Sequence, residues 1–126
     1  MTDPGIPVGP EPMTAGSLVE TAMTILIESG KGRSSVYRSL RAVESGDFGA
    51  AAEHLAQAHE ELEVAHKVHT DTIQAEASDK QTDHSMLFSH AQDTMMTAYS
   101  EYRIIKRILP VLSSFDDRLT ALEENR

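Results

Sequence analysis

Between Phe48 and Thr72 the chain repeats every seven residues, placing Phe48, Ala51, Leu55, Ala58, Leu62, Ala65, His69 and Thr72 in steps of three and four. Residues so spaced share one face of an α-helix. Large side chains alternate with alanine along that face, so a second helix can approach closely, as in a coiled-coil bundle. The flanking stretches carry the same signal. Val19, Ala22, Leu26, Ser29, Arg33, Val36, Leu40 and Val43 predict a first helix, and Leu87, Ala91, Met95, Ala98, Tyr102, Ile105 and Leu109 predict a third.

Punctuation between the stripes agrees. Thr14 to Ser17 offer caps for the first helix, with Glu20 three residues past Ser17. Gly46 suits the left-handed residue after a helix, and Asp47 suits the N-cap of the next. The second helix is expected to run to about Ala77. The polar run 78–83 reads as the second turn, with the third helix beginning near Asp83. Pro110 is expected to end that helix at or near Leu109, after which Ser113 or Ser114 would cap a short helix carrying Phe115, Leu119 and Leu122. The expected fold is all-α, an up-down-up three-helix bundle over residues 15–109. Residues 1–14 hold four of the five prolines and little apolar surface, which predicts a disordered tail. Residues 110–126 form a C-terminal extension.

Composition removes several classes of function. One domain is expected for 126 residues, and the lack of cysteine excludes disulfides, thiolate metal sites and a cysteine nucleophile. A net charge of −9 argues against nucleic acid, whose phosphates need clusters of lysine and arginine. The absence of tryptophan, with only 5% aromatic residues, removes base stacking as well. No apolar run exceeds three residues, and the start lacks the parts of a signal peptide, so a cytoplasmic protein without membrane insertion is expected. The thin, alanine-rich seams favour self-association.

Gly30-Lys31-Gly32-Arg33-Ser34 interrupts the first stripe. It has the residue types of a phosphate loop but not the Walker spacing, and helix rather than strand precedes it. A kink or a close helix contact is the expected role.

The six histidines are the unusual feature of the composition. His54, His59 and His84 read as surface residues. Glu63 and His66 make half of a di-iron bundle motif, but no second Glu-x-x-His exists. His69 lies on the apolar seam, about as far before the turn as His90 lies after it, so antiparallel helices would bring the two to similar heights. His90 and Asp93 stand three residues apart on one helical face. A neutral imidazole near an orienting polar group can act as base, ligand or nucleophile, and attack on phosphorus needs little more than access for a donor.

The sequence Ser89-His90-Ala91-Gln92-Asp93, followed by Met95-Met96-Thr97, resembles the signature of the lactose/cellobiose-type enzyme IIA components of the bacterial sugar phosphotransferase system. Ala65-His66 with 70–77 is similar to that family's second-helix ending, and 30–34 with Gly46-Asp47-Phe48 resembles its first helix and turn. The likeness covers about Val19 to Leu109. It implies a homotrimer, a trimeric nine-helix bundle whose subunits accept phosphoryl from phospho-HPr on His90 and pass it to a cysteine of enzyme IIB, which serves the membrane component IIC. Gln92 falls in the same active-site motif, and Asp93 falls on the family's metal-binding aspartate at the trimer axis. Three such carboxylates in partial burial call for a proton or a cation between them, and Mg2+, one per trimer, fits. Thr94 stands where the family often has a second histidine, and His69 where it often has glutamine. The alternative is a regulatory or adaptor bundle of the same fold with little phosphotransfer activity.

Overall fold

A computed structural model describes residues 15–78 and 85–125, and these form three α-helices. They are α1 (Ala15–Glu44), α2 (Phe48–Ser78) and α3 (Met86–Glu124). The expected tail over 1–14, most of the second turn and His84 lie outside the described residues.

The α1–α2 turn forms as its residues dictate. Gly46 adopts φ 74°, open to glycine without strain. Gly46 N donates to Val43 O (2.9 Å) and Asp47 N to Ala42 O (2.9 Å), the paired bonds of a Schellman ending. Asp47 then caps α2, its Oδ1 accepting from Ala50 N at 3.0 Å. The start of α3 differs from expectation. Ser85, extended at φ −119° and ψ 118°, is the N-cap and accepts from Phe88 N at 3.1 Å, so the helix begins past Asp83. Ser17 lies inside the first turn of α1 and does not mark its start.

The seam of α2 is buried as its heptads require: Ala51, Leu55, Ala58, Leu62, Ala65 and Thr72 are all covered. On α3, Ala91, Met95, Ala98, Tyr102 and Leu109 are buried, and Phe88 rather than Leu87 fills the first position. The seam of α1 keeps part of the predicted stripe and shifts the rest. Ala22, Ser29 and Val36 are buried as expected, whereas Val19 is 49% exposed and Leu18, Ile25, Ser35 and Ser39 also face inward. Small residues on this row let α1 lie close to both neighbours. Ser39 Oγ donates to Ala51 O (2.7 Å) and Ser35 Oγ to Glu61 Oε1 (2.5 Å), while Arg33 reaches Glu101 on α3 at 3.3 Å.

The glycine-rich stretch is continuous helix, and its second glycine makes the close contact. A Cβ on Gly32 would stand 2.5 Å from Leu62 Cγ, whereas one on Gly30 would meet nothing within 4 Å. The backbone of α1 therefore rests directly on a core leucine of α2.

Pro110 does not end α3. The helix passes through it to Glu124, and neither Ser113 nor Ser114 begins a new one. Pro110 is exposed, so water can reach the Lys106 carbonyl that loses its helical donor. Helix-favouring Arg118, Leu119, Ala121, Leu122 and Glu123 then carry the helix on.

Candidate functional site

His90 lies one turn into α3, beside the core cluster that holds Phe88, Ala91 and Met95. The alternation of buried Ala91 and Met95 with outward neighbours leaves His90 and Asp93 exposed on a common face. Among the described residues neither side chain has a hydrogen-bond or ion-pair partner. Both ring nitrogens of His90 are thus open to an incoming group, and the carboxylate oxygens of Asp93 are open to a proton or cation. Thr94, the next residue, turns its hydroxyl back to donate to His90 O (2.9 Å), which keeps it from competing for the ring.

Gln92 points the other way, toward α2. Its Oε1 accepts from His69 Nε2 at 2.7 Å, and an amide oxygen cannot donate, so Nε2 carries the proton. The His69 ring also lies parallel to Phe88, centroids 5.7 Å apart and planes 3° from coincident. Edge and face together fix His69. The hairpin arithmetic brings it to the right height, but its partner is Gln92, two residues from His90, not His90 itself.

Farther along, the α2–α3 groove is lined by aromatic and basic groups. His66, His69, Met95, Met96, Tyr99 and Arg103 surround a cleft of about 440 Å³. The Tyr99 hydroxyl donates to Glu63 Oε1, and Arg103 lies over the Tyr99 ring with Cζ 4.6 Å from its centroid. Burial raises the Tyr99 hydroxyl above the usual phenol pKa, its bond to Glu63 and that carboxylate's charge raise it further, and Arg103 partly opposes them. Burial also raises Tyr102, with Glu63 adding to it. Glu63 and His66, the half motif noted in the sequence, are thus engaged with Tyr99, whose ring lies 5.7 Å from that of His66. Sequence reasoning missed this groove. The signal was present in the spacing of Tyr99, Arg103, Lys106 and Pro110, which share one flank of α3.

Among the described residues no group of three or more histidine, aspartate or glutamate side chains is placed to hold a metal ion. One chain offers Asp93 as a single carboxylate, so a cation there would have to be shared between copies. No helix of the described residues is long and apolar enough to cross a membrane.

The arrangement is that of a helical bundle presenting an exposed imidazole without a partner among the described residues, beside an exposed carboxylate on the same face. Residues 20–113 match the model of the lactose/cellobiose-specific IIA subunit of the phosphotransferase system, and the chain belongs to that family. It is 30% identical over 95 residues to the oligo-beta-mannoside-specific EIIA component of Bacillus subtilis, covering 75% of this chain and 86% of that one. It is 34% identical to the N,N'-diacetylchitobiose-specific EIIA component of Escherichia coli, over 75% of this chain and 82% of the relative. The crystal structure of PtcA from S. mutans superposes with a TM-score of 0.76 at 29% identity, covering 79% of this chain and 98% of that one. The cellobiose-specific enzyme IIA of Bacillus anthracis gives 0.74 at 27% identity, over 83% and 94%.

Proposed function

We propose that this phosphotransferase IIA component carries phosphoryl on His90 in the cytoplasm, taking it from phospho-HPr and passing it to enzyme IIB for uptake through the membrane component IIC. The single observation that carries this reading is the exposed His90 ring, unpartnered among the described residues, one turn into α3 beside the buried cluster of Phe88, Ala91 and Met95. In the first step a lone pair of the neutral ring attacks phosphorus, the bond between phosphorus and the donor breaks with its electrons returning to the donor, and a new N–P bond forms on His90. In the second, a cysteine thiolate of enzyme IIB attacks, the His90 N–P bond breaks, and its electrons return to the ring. Gln92, anchored by His69, holds the adjacent backbone in register, so little reorganisation is needed when a donor docks.

A homotrimer and a shared cation at Asp93 belong to the same proposal. On α3, Ile104, Ile108, Val111, Phe115, Leu119 and Leu122 are each at least 42% exposed, and they continue the row that begins at Asp93, Thr97 and Ser100. Such a row needs cover. Packing three copies along it would bring three Asp93 carboxylates together, where Mg2+ would relieve their repulsion by taking oxygen ligands.

The test is label transfer. With enzyme I, HPr and labelled phosphoenolpyruvate, the wild type should take up acid-labile label and His90→Ala none. Label retained in His90→Ala, or absent from the wild type, would overturn the assignment, and the second result would favour the adaptor reading.

A further inference from the structure

About 20 Å along α3 from His90, at 1.5 Å per residue, lies a larger cleft. His59 of α2 and Tyr99, Tyr102, Arg103, Lys106 and Arg107 of α3 surround about 840 Å³, with Pro110 at its end. None of the polar side chains of this lining is a carboxylate, and all but Tyr99, whose hydroxyl is donated to Glu63, can offer a ligand a hydrogen-bond donor. That is unexpected in a chain with 20 acidic and 11 basic residues. The ion pairs among the described residues lie elsewhere, at Lys31–Glu28, Arg33–Glu101 and Lys67–Asp71. Lys106 and Arg107 have no acidic partner among the described residues. The neighbouring carboxylate, Glu63, is already engaged by the Tyr99 hydroxyl.

The aromatic part of the cleft and Arg103 are packed together without a ligand. Tyr102 is 6% exposed and forms its floor, with the His59 ring tilted 32° against it at 5.5 Å and Tyr99 edge-on at 5.8 Å. Arg103 is held over Tyr99, so its guanidinium need not be gathered from solvent. Both tyrosine hydroxyls are protonated at neutral pH, as any phenol is.

We propose that this cleft binds a phosphate monoester of a sugar. A phosphate dianion supplies acceptors for Arg103, Lys106 and Arg107, in the geometry that guanidinium groups favour. The rings stand at 32° and 81° to one another, so they form no parallel slot for a flat base. Tilted aromatic faces with a proline beside them suit the C–H surfaces of a saturated ring. The site shares no residue with His90, Gln92 or Asp93, and it goes beyond the phosphotransfer reading without depending on it.

Calorimetric titration of the full chain at low salt tests this, with glucose 6-phosphate, glucose, inorganic phosphate and AMP as separate probes. Glucose 6-phosphate should bind saturably and more tightly than the other three. The double substitution Lys106→Gln/Arg107→Gln, at two exposed positions, should weaken it roughly tenfold or more, the loss of at least one charge-assisted bond. No binding of glucose 6-phosphate, equal binding of inorganic phosphate, a preference for AMP, or unchanged affinity in the double variant would each overturn the proposal. His90→Ala should bind glucose 6-phosphate as the wild type does while taking up no label, which separates failure of this site from failure of the phosphoryl-carrier reading.

Discussion

Substituting alanine at Gly30 and at Gly32 separates helix propensity from helix contact within one turn of α1. Alanine is favoured over glycine in a helix interior by about 1 kcal/mol at either position. At Gly30 the new methyl meets nothing within 4 Å, so the full gain should appear. At Gly32 it would stand 2.5 Å from Leu62 Cγ and 2.7 Å from Cδ2, about 1 Å inside normal carbon contact. The nearest atom is the branch point of Leu62, itself fully buried, so a rotamer change alone cannot clear the clash. Overpacking of this kind costs about 1–3 kcal/mol. Propensity cancels between the two variants, so Gly30→Ala should exceed Gly32→Ala in stability by that same amount. Urea unfolding at matched protein concentration measures the difference, since the proposed assembly would make stability concentration-dependent. If Gly32→Ala stabilises the chain as much as Gly30→Ala does, α1 does not rest on Leu62 and the packing argument fails. Leu62 lies one heptad before His69, so Gly32→Ala should also slow phosphoryl uptake where Gly30→Ala does not.

Other expectations follow from the site. His69→Gln removes the ring stacked on Phe88 and resets the bond to Gln92, and it should change the rate and pH dependence of phosphoryl exchange with HPr; identical profiles would leave His69 a packing residue. Asp93→Asn keeps the shape of the side chain but lowers cation affinity, so the wild type should lose thermal stability with chelator and the variant should not; an equal response in both would remove the shared cation. Tyr99 has a raised pKa in the folded chain, so the fold binds more protons than the unfolded chain once pH passes about 10. Its contribution is fully present below that pH and is lost as pH rises further. Tyr99→Phe should flatten the alkaline limb of a stability–pH curve, and an unchanged limb would mean that Tyr99 is not linked to folding.

The heptads of α2 were legible because each position faces one of two neighbours and nothing else competes for it. The α1–α2 turn was legible for a local reason, since Gly46 and Asp47 each have one conformational role there. The row of α1 was partly legible, since Ala22, Ser29 and Val36 are buried as expected, but Gly32, Ser35 and Ser39 are buried for being small, and the three-and-four stripe chosen from apolar residues passes over them. Pro110 was misread as a stop because sequence states the lost hydrogen bond but not whether water reaches the freed carbonyl. His90, Gln92 and Asp93 were singled out as site candidates through their motif, yet the opposite directions of Gln92 and its neighbours emerged only from the structure. The donor-lined cleft was missed because its members come from two helices, and no run of basic residues announces it.

The length of α3 bears on the assembly proposed above. Two rows run along this helix. The inner row, from Phe88 to Leu109, is buried against α1 and α2. The outer row starts at Asp93 and continues through Ile104 and Ile108 to Leu122, exposed throughout its apolar part. The inner row ends at Leu109, and beyond residue 113 every described side chain is exposed. An isolated helical segment of fewer than about 12–15 residues is marginal in water. Nothing in the bundle therefore holds the last turns of α3 as helix except continuity with the turns before them. Packing the outer row against copies of itself would supply what is missing: it would cover Phe115 and Leu122, and it would draw Asp93 into register at the other end. The stability of the extension and the crowding of the Asp93 carboxylates are then two ends of one interface.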